Sequence, residues 1–517
     1  MKNRFLNVAV FFSGMTALAV EMLASRLIGN VYGSSNLVWA CVIGLILIYL
    51  TAGYWLGGKL ADKQPKYSTL YRIILWASVT IGIVPMISRP ILRITANAFD
   101  QLEIGLLAGS FVTILILFII PVTLIGMVSP FALKLSITDT QSTGKISGRL
   151  SAISTLGSFI GAFLPVLVLI PLIGTYRSFL LFSSIMMLIA SIGYWQAEGF
   201  KSWLKYIWMP VVLLFLWIFG VRGLDKVTPN LIFEDESSYN YIQVIEDEQF
   251  RFLRLNEGQG IHSVYHPTVF YYNGPWSQVL VAPYFNPAPF ETKNVEKVAI
   301  VGLAAGTTAR QVSEVYGEIL IDGFEIDPKI VEVGDAYFEM DQPNLSVIIG
   351  DGRWGLSQSE KEYDIISVDA YRPPYIPWHM TTVEFFQTVF DHLTSDGVLV
   401  INIGRSPLDR TLVNDLSTTI GQVFPTIFIM DIPGSFNSMV FATKQPGSWE
   451  NFIANYGYLQ GQGTHPLLLQ AMTSAIYNRQ PEHQITRVYT DDRTPVEWLT
   501  NKIVLDFLLS GEVDNLK

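Results

Sequence analysis

Residues 297–327 read KVAIVGLAAGTTARQVSEVYGEILIDGFEID, and this stretch decides the fold of the C-terminal half. Val298 to Val301 form a short apolar run. Gly302-Leu303-Ala304-Ala305-Gly306 is a small-residue turn, and Thr307 to about Tyr316 carry a helical pattern. A second apolar run, Ile319 to Phe324, ends on Glu325. Strand, glycine turn, helix and strand, with an acid closing the second strand, is a nucleotide-binding βαβ unit. The glycines let the backbone approach a ligand and leave the helix N-terminus aimed at it. Glu325 lies 23 residues past Gly302, near the ~20 expected for an acid that accepts hydrogen bonds from ribose hydroxyls. A plain tight βα turn has the same local appearance, so the flanking sequence has to decide.

Downstream, the alternation continues. A helix is expected from Pro328, a strand over Leu345–Ile349, and then Gly350-Asp351-Gly352-Arg353. A strand Asp364–Val368 ending in Asp369, a helix Thr382–His392, a strand Val398–Ile403 and a helix Leu408–Val423 follow. Strands Ile427–Met430 and Ser438–Thr443 close the pattern as a hairpin around Pro433-Gly434. Alternating strands and helices predict a parallel sheet covered on both faces, and the hairpin makes its end antiparallel. The expectation is an α/β Rossmann-like domain of the methyltransferase type. Its ligand would lie across the carboxyl ends of the strands, over Gly302, Gly306, Glu325, Asp351, Gly352 and Asp369. Three successive strands thus end in an acid: Glu325 would hold ribose, Asp351 an adenine amino group, and Asp369 an amine or other cationic centre. The competing reading of Asp351 and Asp369 is a cap on the helix or turn behind each.

Upstream, Tyr241–Ile245, Arg251–Leu255 and Ile261–Tyr265 read as short strands separated by turns, a small antiparallel β unit. An aromatic-rich helical stretch runs on to about Tyr284.

The N-terminal half is of another kind. Half of the 517 residues are hydrophobic and 15% are charged, and the mean hydropathy is +0.36. Nearly all the long apolar runs lie before about Val221, which predicts a multi-pass α-helical membrane domain in contact with the lipid bilayer. Seven spans are expected, at about 5–28, 36–58, 69–88, 105–133, 150–173, 177–195 and 203–221; Pro121 and Pro130 make the fourth a kinked or re-entrant segment. The resulting division is 1–225 membrane domain, 228–290 β unit with its aromatic stretch, 291–445 Rossmann-like domain and 446–517 helical tail. The single cysteine, Cys41, excludes an intrachain disulfide, and a net charge of −10 without a basic block argues against nucleic acid as partner.

Within the spans, Gly157 and Gly161 form a small-xxx-small pair suited to close helix packing, and Gly53, Gly57 and Gly58 recur on the second span. Glu21 and Arg26 are ionisable groups inside the first span, which is expensive unless they are paired; Arg26 either links to another element or snorkels to the membrane surface. With the N-terminus inside, the inner segments hold eleven Lys and Arg against five outside, favouring that orientation. Seven spans would then put the C-terminal half outside the cytoplasm, in conflict with a nucleotide-type cofactor. A miscounted span near 89–133 would remove the conflict.

As a set, these residues resemble the spermidine synthase family. The matching pieces are Gly302 to Gly306, Glu325-Ile326-Asp327-Pro328, Gly350-Asp351-Gly352-Arg353, and Tyr363-Asp364 to Asp369. Ser237-Ser238-Tyr239-Asn240 with the β unit resembles that family's N-terminal β domain. The membrane half resembles the bacterial fused transporter–spermidine-synthase-like proteins at Ala17 to Arg26, at Gly57-Gly58-Lys59-Leu60-Ala61-Asp62, at Gly126-Met127 with Pro130, and at Thr155-Leu156-Gly157-Ser158. The tail Thr490-Asp491-Asp492-Arg493-Thr494-Pro495-Val496-Glu497 also resembles theirs. The resemblance implies decarboxylated S-adenosylmethionine or S-adenosylmethionine as cofactor, aminopropyl transfer to a small-molecule amine such as putrescine, no metal, and a homodimer built through the β unit. It implies Asp369 and Tyr239 as catalytic residues and places Arg372 and Asn240 on the acceptor side. Three positions depart from the family: Ala305 and Arg372 stand where it has aspartates, and Asn240 where it has glutamine. An arginine cannot act as a base at neutral pH and repels a cationic polyamine. The cofactor frame is therefore kept while the polyamine-specific acids are replaced. That leaves open a transferase with another, anionic acceptor, or a silent ligand-sensing domain.

Overall fold

A computed structural model describes residues 2–32, 36–102, 105–137, 143–220, 228–256, 260–371, 376–406, 409–500 and 502. The chain divides into two compact units, Met1–Thr228 with Glu236–Tyr241, and Pro229–Asp235 with Ile242–Lys517.

The first unit is helical. Among the described residues, five helical stretches are long and apolar enough to cross a membrane: Phe5–Gly29, Val38–Lys63, Tyr67–Leu92, Gly109–Ser136 and Thr143–Glu198. A bent pair, Phe200–Tyr206 with Trp208–Phe219, passes the same test when taken together. The expectation of seven separate spans differs from this count at the last of them. The expected fifth and sixth spans lie in one apolar run of 56 residues, far longer than one crossing of about 30 Å requires. That run is broken at Gly174, whose φ of 76° takes it out of the helix, so the division expected between 173 and 177 is present as a kink between two helices. The expected seventh span is the bent pair. The fourth keeps its helix through Pro121 to Gly126 and resumes at Val128 beyond a single turn residue, Met127.

Glycines set how closely these helices meet. A Cβ added to Gly157 would land on the Phe11 carbonyl and one on Gly161 on the Met15 carbonyl, so both face the first helix at backbone distance. Gly53 and Gly57 meet Thr123 to Met127 in the same manner, whereas Gly58 faces open space. Large apolar side chains such as Ile48, Trp55, Phe159, Leu172 and Leu188 remain exposed on this unit. Arg26 does not snorkel. Its Nε meets Glu236 Oε1 at 2.7 Å, and its other nitrogens donate to the carbonyls of Ser237 and Tyr239. Glu236 also takes the Thr175 hydroxyl at 2.7 Å.

Apart from the edge residues Glu236 and Tyr241, the second unit holds a four-stranded sheet of β1 (Leu231–Glu236), β2 (Tyr241–Asp247), β3 (Phe250–Leu255) and β4 (Ile261–Tyr265) in chain order, with β3 antiparallel to β2 and to β4. β1 was not expected from the sequence. The aromatic stretch that follows is a 3-10 helix, Trp276–Phe285, buried along its whole length. The larger sheet comprises β5 (Lys297–Val301), β6 (Leu320–Glu325), β7 (Leu345–Ile349), β8 (Tyr363–Val368), β9 (Leu393–Gly404), β10 (Thr426–Asp431) and β11 (Asn437–Thr443). Its order is β10-β11-β9-β8-β5-β6-β7. The strands β9-β8-β5-β6-β7 are parallel, and β11 joins β9 and β10 antiparallel. The parallel strands are nearly continuous Val and Ile because helices cover both faces: one core contains Val298, Ile300 and Val400, the other Ala299, Val301 and Ile401. From β5 the chain builds outward to β6 and β7, then returns to lay β8 on the other side of β5. That reversal is the topological switch point, and it brings the ends of β8, β5, β6 and β7 side by side.

Candidate functional site

The carboxyl ends of those four neighbouring strands carry Asp369, Gly302, Glu325 and Asp351 in that order across the sheet. Backbone bonds close the row: Asp369 N–H donates to the Val301 carbonyl at 2.9 Å, Gly302 and Leu303 N–H to Phe324 at 3.0 Å, and Gly350 N–H to Glu325 at 2.9 Å. Gly302 has φ 91°, and a Cβ there would lie 2.5 Å from the Asp369 carbonyl, so only glycine fits. Gly306, at φ 81°, starts the helix Thr307–Tyr316. A Cβ on Gly352 would lie 2.5 Å from Val301, whereas Gly350 opens onto free space.

Glu325 is 7% exposed. Its Oε2 takes the Ala304 N–H at 2.9 Å and its Oε1 the Asp327 N–H at 3.0 Å. One backbone donor per oxygen leaves each oxygen a second lone pair, which suits a ligand diol. Burial raises its pKa to about 7, against the pull of the backbone N–H groups that favour the anion.

Asp351 does cap, as the competing reading held: its Oδ1 takes the Trp354 N–H at 2.9 Å at the start of the helix Gly352–Ser357. Its Oδ2 lies 2.8 Å from His379 Nε2. Among the described residues no backbone N–H caps onto Asp369. Its Oδ1 takes the Asn402 Nδ2 donor at 2.9 Å, and burial pushes its pKa up to about 6 although Asn402 favours the anion. Asn402 is itself 4% exposed, and its Oδ1 is buried with no partner among the described residues. Beside them, the Tyr371 hydroxyl donates to the Asn402 carbonyl at 3.1 Å and accepts the Gly404 N–H at 2.7 Å.

The glycine turn is braced by the small sheet. Ala305 N–H donates to Ser263 Oγ at 2.9 Å, and the Thr307 hydroxyl bridges the N–H and carbonyl of Val264 at 2.8 and 2.9 Å. Ala305 is 2% exposed and packs with Ile242, Val244, Leu253, Ile330 and Phe338. The structure therefore brings together Gly302, Gly306, Glu325, Asp351, Gly352 and Asp369. Tyr239 and Asn240 belong to the Glu236–Tyr241 segment of the helical unit, where both N–H groups donate to Ser237 Oγ and the Tyr239 ring is exposed. Arg372 lies outside the described residues. Sequence reasoning missed Asn402, Ser263 and His379. A lone asparagine inside the apolar run Val398–Ile403 was the one signal that pointed to the first.

Fold and site together define a class: a Rossmann-like, methyltransferase-type α/β domain with carboxylates along the strand ends at its switch point. The spermine/spermidine synthase domain matches residues 286–452 of the chain. A probable polyamine aminopropyl transferase of Bifidobacterium longum is 32% identical over 288 residues, 52% of this chain and 62% of that protein. A polyamine aminopropyltransferase of Vibrio vulnificus is 30% identical over 241 residues, 43% of this chain and 75% of that protein. Among solved structures, a probable spermidine synthase from Corynebacterium glutamicum is 17% identical at a TM-score of 0.38, covering 50% of this chain and 97% of its own. The chain belongs to the polyamine aminopropyltransferase (spermidine synthase) family.

Proposed function

We propose that the chain is a membrane-tethered transferase of this family that binds an adenosyl sulfonium compound, decarboxylated S-adenosylmethionine or S-adenosylmethionine, over the ends of β8, β5, β6 and β7. The observation that carries the reading is Glu325: a buried carboxylate held by two backbone N–H groups at the end of β6, with a lone pair left on each oxygen. Gly302 would let the backbone approach the ligand, Glu325 would take the ribose hydroxyls, and Asp351 would take the adenine amino group. When bound, the sulfonium supplies an activated carbon and a thioether leaving group. Asp369 would orient the attacking amine and accept its proton once the new C–N bond forms, with Asn402 fixing the carboxylate. The test is product analysis of the full chain with each sulfonium compound and putrescine. Aminopropyl transfer supports the reading, and absence of transfer from either compound to any amine overturns it.

A specific observation favours a second acceptor class. Ala305 faces an apolar cluster and offers no carboxylate to an aminopropyl ammonium. With Arg372 in place of a family aspartate, this supports a non-polyamine, anionic acceptor on the same fold.

The exposed apolar surface of the helical unit and its long apolar helices support a place in the bacterial inner membrane as a multi-pass protein. The cofactor reading requires the second unit on the cytoplasmic side, contrary to a seven-span count with the N-terminus inside. Protease added outside sealed cells is expected to leave residues 242–500 intact; cleavage there would remove the cofactor argument.

A further inference from the structure

The C-terminal tail makes contacts that the site described so far does not use. Buried Tyr489 anchors it. Its hydroxyl donates to Asp415 Oδ2 at 2.7 Å, its N–H to Thr419 Oγ1 at 3.0 Å, and its carbonyl takes the Val383 N–H at 2.9 Å. Thr490 and Arg493 then exchange backbone hydrogen bonds around a tight turn that holds Asp491. The Asp491 carboxylate takes Nη1 and Nη2 of Arg353 at 2.7 Å each, and its Oδ1 also takes the Thr382 hydroxyl at 2.7 Å. Arg353 follows directly on Asp351-Gly352. Its Nη1 donates also to the His379 carbonyl at 2.8 Å, and His379 Nε2 reaches Asp351 Oδ2 at 2.8 Å.

We propose that Asp491 is a positioning residue: through the Arg353 fork and His379 it sets Asp351 and the segment 376–382 that follows Asp369, and so shapes the adenosyl pocket. This rests on the adenosyl reading given above. A merely structural clamp would need only the Arg353–Asp491 pair. That pair is partly exposed, 23% and 39% at its side chains, and such pairs add little to global stability. What distinguishes this one is where the remaining donor goes. The planar fork lets one guanidinium hold the tail carboxylate and the His379 carbonyl together, which a lysine ammonium at 353 would not reproduce. Two segments that meet the pocket from different strands are thus fixed by one residue that lies 138 positions downstream.

The test compares the full chain with Asp491→Asn, Asp491→Glu and, as control, Asp492→Asn, an exposed neighbour outside the network. Hydrogen exchange without ligand reads the clasp itself. Asp491→Asn is expected to speed exchange at 352–357 and 376–382 while leaving the β5–β9 amides and the melting temperature near wild type, with Asp491→Glu partly restoring protection. Affinity for S-adenosylmethionine is expected to fall about tenfold. In a double-mutant cycle Asp491→Asn and His379→Gln are expected to be non-additive. Unchanged exchange at both segments overturns the clasp, as does wild-type affinity in Asp491→Asn when the wild type binds. Failure of the wild type to bind any adenosyl sulfonium compound overturns instead the pocket reading on which the proposal stands.

Discussion

Asn402 Nδ2 donates to Asp369 Oδ1 at 2.9 Å, tying the end of β9 to the end of β8. The bond favours the carboxylate, against a burial that pushes its pKa up to about 6. Removing the donor leaves burial unopposed, so Asn402→Ala should raise the Asp369 pKa further. In the proposed role Asp369 accepts the proton of the attacking amine, which it can do only when ionised, so activity should rise with pH through its pKa. The acid limb of the kcat/KM profile is expected to move to higher pH in Asn402→Ala, with a larger loss at pH 6.5 than at pH 8.5. A limb that stays in place would detach Asp369 from the chemistry.

Glu325 offers a stability test that needs no ligand. Its folded pKa, raised to about 7 from 4.5, means that the folded chain binds more protons than the unfolded chain between those values. Stability therefore falls as pH rises through that window, and the penalty is complete above pH 7. At ~1.36 kcal/mol per pKa unit the penalty is about 3 kcal/mol. Glu325→Gln removes it but gives up one of the two backbone bonds, worth about 1 kcal/mol. The variant is expected to be less stable than wild type near pH 4.5 and more stable, by about 1–2 kcal/mol, at pH 8. Thermal melts across pH 4.5–8 would show the crossing.

In the proposed sulfonium site, Ala305 is the position at which a carboxylate would change which compound is preferred. Ala305→Asp would place a carboxylate in the turn, where it can pair with an ammonium and repel a carboxylate. The ratio of affinities is expected to shift toward decarboxylated S-adenosylmethionine by about tenfold, since one charge-assisted bond is worth ~1.5–3 kcal/mol. The position is 2% exposed among apolar side chains, so the fold should lose about 1–3 kcal/mol. Calorimetric titration with both compounds reads the first effect and thermal melts the second.

In the helical unit, Gly161→Val would drive a side chain into the Met15 carbonyl. Forced separation of the first and fifth spans is expected to cost about 1–3 kcal/mol and to lower the melting temperature in detergent. Gly58→Ala, where an added Cβ meets nothing, should melt as the wild type does.

Much of the second unit was legible because βαβ units announce themselves by period and punctuation. The run Val298–Val301, the turn Gly302–Gly306 and Glu325 gave the strand ends, and the Pro433-Gly434 turn gave the antiparallel hairpin seen between β10 and β11. β1 lay inside the expected β unit at 228–290 but was not read as a strand, because the acidic Glu234-Asp235-Glu236 ends the apolar run Leu231-Ile232-Phe233 after three residues. Asn402 was hidden because a buried polar residue in a strand acquires meaning only from the strand beside it, here β8 with Asp369. The reach of Asp491 to Arg353 is a long-range pairing that no local pattern encodes. Gly157 and Gly161 could be seen as a pair, but their role needed the backbone of the first helix opposite them. The division between the fifth and sixth apolar runs was legible, because it falls where Gly174 takes the backbone out of the helix.

The most direct test is equilibrium binding of labelled S-adenosylmethionine and its decarboxylated form to the full chain, beside Glu325→Gln. Saturable binding of at least one compound, weakened at least tenfold in Glu325→Gln, is the predicted result. No binding of either compound, or equal binding by the variant, would contradict the account.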